Sequence, residues 1–391
     1  MASVKELLEQ GREAIRKGNA SDAEKIFRAA AQADPNSSEA SAELARILAA
    51  IGNAEEANNL IDHTLKINPS NALALSMKGA LLLEQRKAGE AMPWLQKAIK
   101  ADPKLDVAYV NLGIAQRELG QYDESEMTLR TALHLNPNNF EAHYCLGYTL
   151  ALNNRMEEGM RALLKSIRIN PLFLQGYLVL GELLQKGNQL DAAQKLYEEA
   201  LRHNPAGIEA RERLIPLYLR KKDFQTVEQQ RAEIARQRNR PADWLELGKV
   251  NLVNGKLEDA VSAFRTAEKL DPQLWEPHYN MGEIYDAAND TEKAKKEYEE
   301  SVRLNSKSFK PHNGLGLLLL KENRVDEAIH QFETAVRLAP SSPIPQFNLA
   351  LAFTKASRKK QARDLLNRVI ANRQAGAIKD EAKRLLKTLS K

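Results

Sequence analysis

The sequence predicts an all-α fold, a right-handed α-solenoid superhelix of antiparallel helical hairpins, and three regularities predict it. Prolines recur at Pro35, Pro69, Pro103, Pro137, Pro171 and Pro205, each 34 residues after the last and each preceded by Asp or Asn. Small residues fall at one register of that period, and alanines fall at two others. A fixed period of this length marks a stacked helical array. The ruler continues through Asn239, Pro272, Ser306 and Pro340, with one residue dropped between Asn239 and Pro272.

Numbering each repeat so that the first begins at Val4 puts the proline at position 32. The first helix of each repeat carries the small residue at position 8: Gly11, Ala45, Gly79, Gly113, Gly147, Gly181, Gly248, Gly282, Gly316 and Ala350. The second helix carries alanine at position 20, as at Ala23, Ala57 and Ala91, and again at position 27, as at Ala30, Ala98 and Ala132. Those two positions lie on one face of a helix, so a methyl at each lets the partner helix approach at its own small residue. Position 24 between them carries the filler, among others Phe27, Leu95, Leu129, Leu163, Tyr197, Phe264, Tyr298 and Phe332. The second helix stops at the Asn/Asp-Pro step because the residue before proline avoids the helical region. A closing helix over Ile378–Leu389, apolar at Ile378, Ala382, Leu385, Leu386 and Leu389, covers the last exposed face, as a solenoid end requires.

On these residues the chain resembles the tetratricopeptide repeat, in about eleven repeats over residues 4–376. The resemblance implies a protein-interaction array. Some bacterial members of similar length carry a membrane anchor and paired CxxC motifs in a zinc knuckle, and neither is seen here. The family's carboxylate clamp of Lys, Asn and Arg, used for acidic chaperone tails, finds no matching run of three repeats.

Composition and motifs narrow the function classes. With 43% apolar and 28% charged residues the chain reads as a soluble protein. Its longest apolar stretches, such as Leu315–Leu320, fall far short of the roughly 20 residues that cross a bilayer. The first residues already follow the repeat register and include Glu6, Glu9 and Glu13, so a cytoplasmic location is expected. Cys145 is the single cysteine, which excludes an internal disulfide or a cysteine zinc cluster, and it reads as a small semi-buried side chain. No phosphate loop, GxSxG or HExxH motif occurs, so no enzymatic activity, cofactor or metal site is expected. His143, His278 and His312 share position 4 with Tyr109, Tyr177 and Trp244, so a ring against the hairpin core is favoured over a metal ligand.

The surface remains, and the first helices are expected to line a concave groove through positions 2, 5, 6, 9, 12 and 13. In the first two repeats this face is charged, with Lys5, Glu9, Arg12 and Arg16, then Glu39, Glu43 and Arg46. In repeats three to six it turns apolar, through Met77, Ala80 and Leu83, Val110 and Ile114, Tyr144, Cys145 and Tyr148, then Leu178 and Val179. A contiguous apolar patch of this kind marks a binding surface. The competing reading is that these side chains contact only the neighbouring repeat. Asn111 within the patch is placed to clamp a peptide backbone, since an amide both donates and accepts. In repeats nine to eleven, Tyr279 and Asn280, Asn313, and Phe347 and Asn348 resemble the asparagine rows that hold extended peptides, with solvated polar residues as the alternative.

Two local features complete the reading. Lys355–Lys391 holds 12 basic and 3 acidic residues, which suits an acidic partner, an anionic membrane or nucleic acid, or else a solubilising cap. Repeat seven breaks the pattern, with Pro216 at position 9 and with Val227, Arg231 and Ile234 at positions 20, 24 and 27. The expected organisation is therefore repeats over 4–207, a divergent seam or hinge at 208–240, repeats over 241–376 and a basic capping helix at 377–391; one continuous superhelix with a local irregularity is the alternative. The expected function is a non-catalytic scaffold or adaptor that binds an amphipathic helix or extended peptide of a protein partner. A regulatory or substrate-selecting subunit of an enzyme such as a glycosyltransferase, and a tether working through the basic tail, are the alternatives.

Overall fold

A computed structural model describes residues 2–389 of the chain. The described residues form 23 α-helices and no strand. Repeats one to four fold as α1 (Val4–Arg16) with α2 (Ala20–Ala33), α3 (Ser38–Ala50) with α4 (Ala54–Ile67), α5 (Ala72–Glu84) with α6 (Ala88–Ala101), and α7 (Asp106–Glu118) with α8 (Tyr122–Leu135). Repeats five to seven are α9 (Phe140–Leu152) with α10 (Met156–Ile169), α11 (Leu174–Lys186) with α12 (Leu190–His203), and α13 (Ile208–Arg220) with α14 (Phe224–Arg238). Repeats eight and nine are α15 (Pro241–Val253) with α16 (Leu257–Leu270) and α17 (Trp275–Ala287) with α18 (Thr291–Leu304). The last two are α19 (Phe309–Lys321) with α20 (Val325–Leu338) and α21 (Pro343–Lys355) with α22 (Lys359–Ala371), followed by α23 (Ile378–Thr388).

The crossing inside each hairpin explains the small residues. A Cβ built on Gly11 would lie 2.4 Å from the Phe27 ring, one on Gly79 2.5 Å from Leu95, and one on Gly181 2.3 Å from Tyr197. Position 8 therefore makes room for the filler at position 24, while position 20 abuts the backbone at position 8. Ser125 shows that second contact directly, its hydroxyl donating to the Gly113 carbonyl at 2.7 Å. Position 27 serves the start of the first helix in the same way. Ser166 and Ser301 donate to the carbonyls of Phe140 and Trp275, at 2.8 and 3.1 Å.

Both turns of the repeat have a local chemical cause. Between the two helices, position 15 is left-handed in all eleven repeats: Gly18, Gly52, Gly120 and Gly255, then Asn154, Asn188, Asn289 and Asn323, and also Arg86, Lys222 and Ser357. Glycine and asparagine tolerate that region best. Between repeats, the Asn or Asp before proline ends the helix in an extended conformation, as at Asn68 with φ −134°. Its side chain then accepts from the amide two residues on, as Asn68 does from Ser70 at 3.1 Å and Asp271 from Gln273 at 3.0 Å. The acidic or amide residue thus stabilises the turn that the proline begins.

Repeat seven departs in a defined way. Its second helix, α14, has 15 residues and ends at left-handed Asn239, φ 49°. Only Asn239 and Arg240 then precede α15, which starts on Pro241; a longer helix and a shorter link account for the dropped residue. Pro216 lies inside α13. The described chain divides into two compact bodies, one up to Arg213 and one from Leu214.

In the second body α23 packs on α21 and α22. Ala382 and Leu389 are buried there, with Ile378, Leu385 and Leu386 half-buried against the same core.

Candidate functional site

The first-helix face of repeats three to five carries the candidate site, and packing sorts its residues into two groups. Met77, Leu83, Asn111, Ile114, Tyr144 and Tyr148 are half-buried and reach the surface. Val110, Cys145 and Leu178 are buried, at 2%, 3% and 8% exposure, and Val179 is buried beside Leu178. Positions 5 and 6 pack between adjacent first helices, and Val110 and Cys145 belong to one core cluster with Leu129 and Leu146. Burial pushes the Cys145 thiol up to about 11, so it is protonated at neutral pH.

An aromatic cluster rises from this floor. The Tyr144 and Tyr148 rings stack with centroids 6.3 Å apart, and Tyr144 meets Phe173 edge-on at 5.1 Å. Phe173, in the link before α11, also packs on Phe140 at 5.0 Å. From α7 the Arg117 guanidinium sits over the Tyr148 ring, 5.0 Å from its centroid. Partial burial raises the Tyr144 hydroxyl pKa, opposed by a hydrogen bond with Gln175. Sequence reading found the two tyrosines by register but missed Phe173 and Arg117. Phe173 lies in the link between helices, outside the helical register, and the stacking of Arg117 on Tyr148 depends on tertiary contact between two repeats.

The amides are engaged inside the protein. Asn111 Nδ2 lies 3.5 Å from Ser76 Oγ, a long contact between position 6 of one repeat and position 5 of the one before. The same relation joins Asn348 Nδ2 to Asn313 Oδ1 at 2.8 Å. Asn280 donates instead to the Glu276 carbonyl of its own helix at 2.7 Å. The row of three free amides expected in repeats nine to eleven is thus one bonded pair and one amide turned back, with Phe347 and Asn348 both buried. Tyr279 is half-buried and donates to Glu283 Oε1 at 2.6 Å.

Position 4 has a role that the ring reading did not contain. In five repeats its polar tip bonds the carbonyl six residues earlier, at the head of the inter-repeat turn. Tyr109 donates to the Pro103 carbonyl at 3.2 Å, Arg211 to Pro205 at 2.6 Å and Gln346 to Pro340 at 2.5 Å, while His143 lies 3.0 Å from the Pro137 oxygen. His312 joins the Ser306 carbonyl at 3.2 Å and Gln331 at 2.8 Å. His278 pairs instead with buried Glu297 at 2.7 Å, which Arg265 also reaches at 2.7 Å. Among the described residues no three His, Cys, Asp or Glu side chains gather in a way that suits a metal ion.

On the opposite, second-helix side lies a cavity of about 620 Å³, lined by Met160 and Leu164 of α10, Leu180 and Leu184 of α11, and Leu196 of α12. The signal in the sequence is Leu164, at position 25, where the flanking repeats carry Arg130 and Glu198. In the basic segment, Lys355 donates to the Leu320 carbonyl at 2.8 Å, Arg358 pairs with Asp326 at 3.0 Å and Lys383 with Asp380 at 3.0 Å. No helix among the described residues is long and apolar enough to cross a membrane.

The hairpin geometry agrees with comparison to known families. Tetratricopeptide-repeat models match residues 14–81, 72–105, 94–127, 115–154, 178–226, 245–309, 279–343 and 313–377. The chain belongs to the tetratricopeptide-repeat family, whose arrays are in general protein-interaction scaffolds. No curated protein matches it by sequence. Among solved structures it is similar to yeast Tom70, with 13% identity over 99% of this chain and 95% of that one and a TM-score of 0.44. It is similar also to the Cut9–Hcn1 hetero-tetramer of the APC/C, at 13% identity over 100% and 90% with a TM-score of 0.44. PilF of Pseudomonas aeruginosa matches at 20% identity over 54% of this chain and 95% of its own, with a TM-score of 0.42.

Proposed function

We propose that the chain is a non-catalytic scaffold that holds a helix or extended segment of a partner protein along the first-helix face of repeats three to five. One observation carries this reading: Tyr144 and Tyr148 stand together, half-exposed, on a face whose neighbours Met77, Leu83 and Ile114 are also apolar and also reach the surface. Ile114, Tyr144 and Leu83 also pack against the core, yet each keeps an edge at the surface. Aromatic side chains that keep one wet edge concentrate binding energy when a partner covers them. The amides of repeats nine to eleven would have to exchange internal bonds for a partner's, so Tyr279, Asn280 and Asn313 rank second as contacts.

The test is capture. A photoreactive residue at position 148 should cross-link a partner, and Tyr144→Ala with Tyr148→Ala should weaken that partner by more than about 2 kcal/mol. The helical signal and melting midpoint should stay close to those of the unaltered chain. Unchanged affinity in the double variant would remove the proposal.

A further inference from the structure

The first-helix face holds several arginines, and their pairing differs along the chain. In the first two repeats each is matched by carboxylates. Arg12 pairs with Glu39 at 2.6 Å and Glu43 at 2.9 Å, Arg46 with Glu43 at 2.6 Å, and Arg16 with Glu13 at 2.7 Å and Glu9 at 3.0 Å. Arg117, in the middle of the apolar stretch, differs. It pairs with no carboxylate among the described residues; its guanidinium lies over Tyr148 and hydrogen-bonds the Cys145 thiol, and of its nitrogens Nη1 is shut from solvent without a partner.

A guanidinium offers five donors in a fixed fork and keeps its charge across physiological pH. The Tyr148 face and the Cys145 thiol give this guanidinium neighbours but no counter-charge, and an anion would supply one. The local field agrees, since Arg117 favours the ionised forms of both Tyr144 and Cys145. Half-buried apolar side chains stand on the first helices of both neighbouring repeats, Met77 and Leu83 in the repeat before and Tyr144 and Tyr148 in the repeat after. A face that continues in both directions suits an acidic residue within a segment better than a chain end.

We propose, on the premise that this face is the partner groove, that it takes an acidic and apolar protein segment. An Asp or Glu side chain pairs with Arg117, and a neighbouring aromatic or aliphatic side chain packs on Tyr144 and Tyr148. The pairing sets which segments bind, because a charge match rejects lysine at that place as strongly as it accepts glutamate.

The experiment is selection of random dodecapeptides displayed on phage against the full-length chain and its Arg117→Glu, Arg117→Gln and Arg117→Lys variants. Circular dichroism establishes that each variant is folded. Peptides selected on the unaltered chain should carry Asp or Glu beside an aromatic or aliphatic residue. As synthetic peptides they should lose about tenfold or more in affinity when that acid becomes Gln, or when Arg117 becomes Gln. Arg117→Glu should select Lys or Arg instead, and Arg117→Lys should retain the acidic preference in part. Equal acidic content in the peptides selected on unaltered and Arg117→Glu protein would overturn the proposal, as would failure to select any peptide. If the acidic preference is absent while Tyr144→Ala with Tyr148→Ala still abolishes binding, the groove stands and only the role of Arg117 falls.

Discussion

Single glycines in this chain do unequal work, and the structure says which are replaceable. A Cβ on Gly79 would meet only the branched end of Leu95, which can turn aside. A Cβ on Gly147 would come within 2.7 Å of the Gly159 carbonyl and 2.9 Å of the Leu163 amide nitrogen, and neither can move without the helix. Gly147→Leu is therefore expected to destabilise by about 1–3 kcal/mol or more, and Gly147→Ala to cost more than Gly79→Ala, as read from urea midpoints. A neutral Gly147→Leu would mean that the crossing of α9 and α10 is not where it is placed here. The opposite change is useful at position 15. Arg86 is held at φ 60° where eight of its ten counterparts are glycine or asparagine, so Arg86→Gly should raise stability by about 1 kcal/mol. No change in the midpoint would show that this turn carries no strain.

Between helices, ion pairs fasten one repeat's second helix to the next. Arg28 of α2 reaches Glu56 of α4 at 2.7 Å, and Arg155, at the head of α10, reaches Glu126 of α8 as well as Glu158 at 2.7 Å. Hydrogen bonds from these arginines hold the Glu56 and Glu158 carboxyls below the usual range. A depressed folded value stabilises the fold above the unfolded pKa of about 4.3, and that contribution is lost as pH falls through the folded values. The pairs are exposed and screened, so the effect is small for each. The melting midpoint should thus drop on acidification below about pH 4.3, and drop less in Arg28→Gln with Arg155→Gln. An identical acid profile in the double variant would assign the loss to other groups. Helix ends were legible in the sequence because proline and its Asn or Asp act within a few residues. The left-handed position 15 is Gly or Asn in eight repeats, but the sequence reading did not single it out, and Arg86, Lys222 and Ser357 disguise it.

At the scale of the whole chain, repeat seven is the place to test. An array's stability is nearly a sum of repeat and neighbour terms, so a repeat with poor terms opens first. Pro216 gives α13 no backbone N–H at that point, and Arg231 stands where other repeats bury a ring, leucine or isoleucine, its Nε shut away without a bond. We expect amides of 208–240 to exchange hydrogen faster than those of repeats four and eight. Equal protection would show that no weak seam exists there. The basic end would reveal a tether role through salt-dependent binding to anionic vesicles or nucleic acid, and no such binding is expected if its cations serve mainly the internal pairs that Lys355, Arg358 and Lys383 make.

Residue spacing alone determined the repeat, its two helices, the register of the crossing and the closing helix, because each follows from local rules of period, turn chemistry and side-chain size. Which first-helix residues reach solvent was decided only by tertiary packing. Position 5 is buried as Val110 yet half-exposed as Tyr144, and position 6 is half-exposed as Met77 yet buried as Cys145. The difference depends on the size of the side chain and on what the neighbouring helix presents to it, and neither is contained in the period. The same holds for Arg117, whose lack of a carboxylate is a fact about residues far away in sequence and close in space.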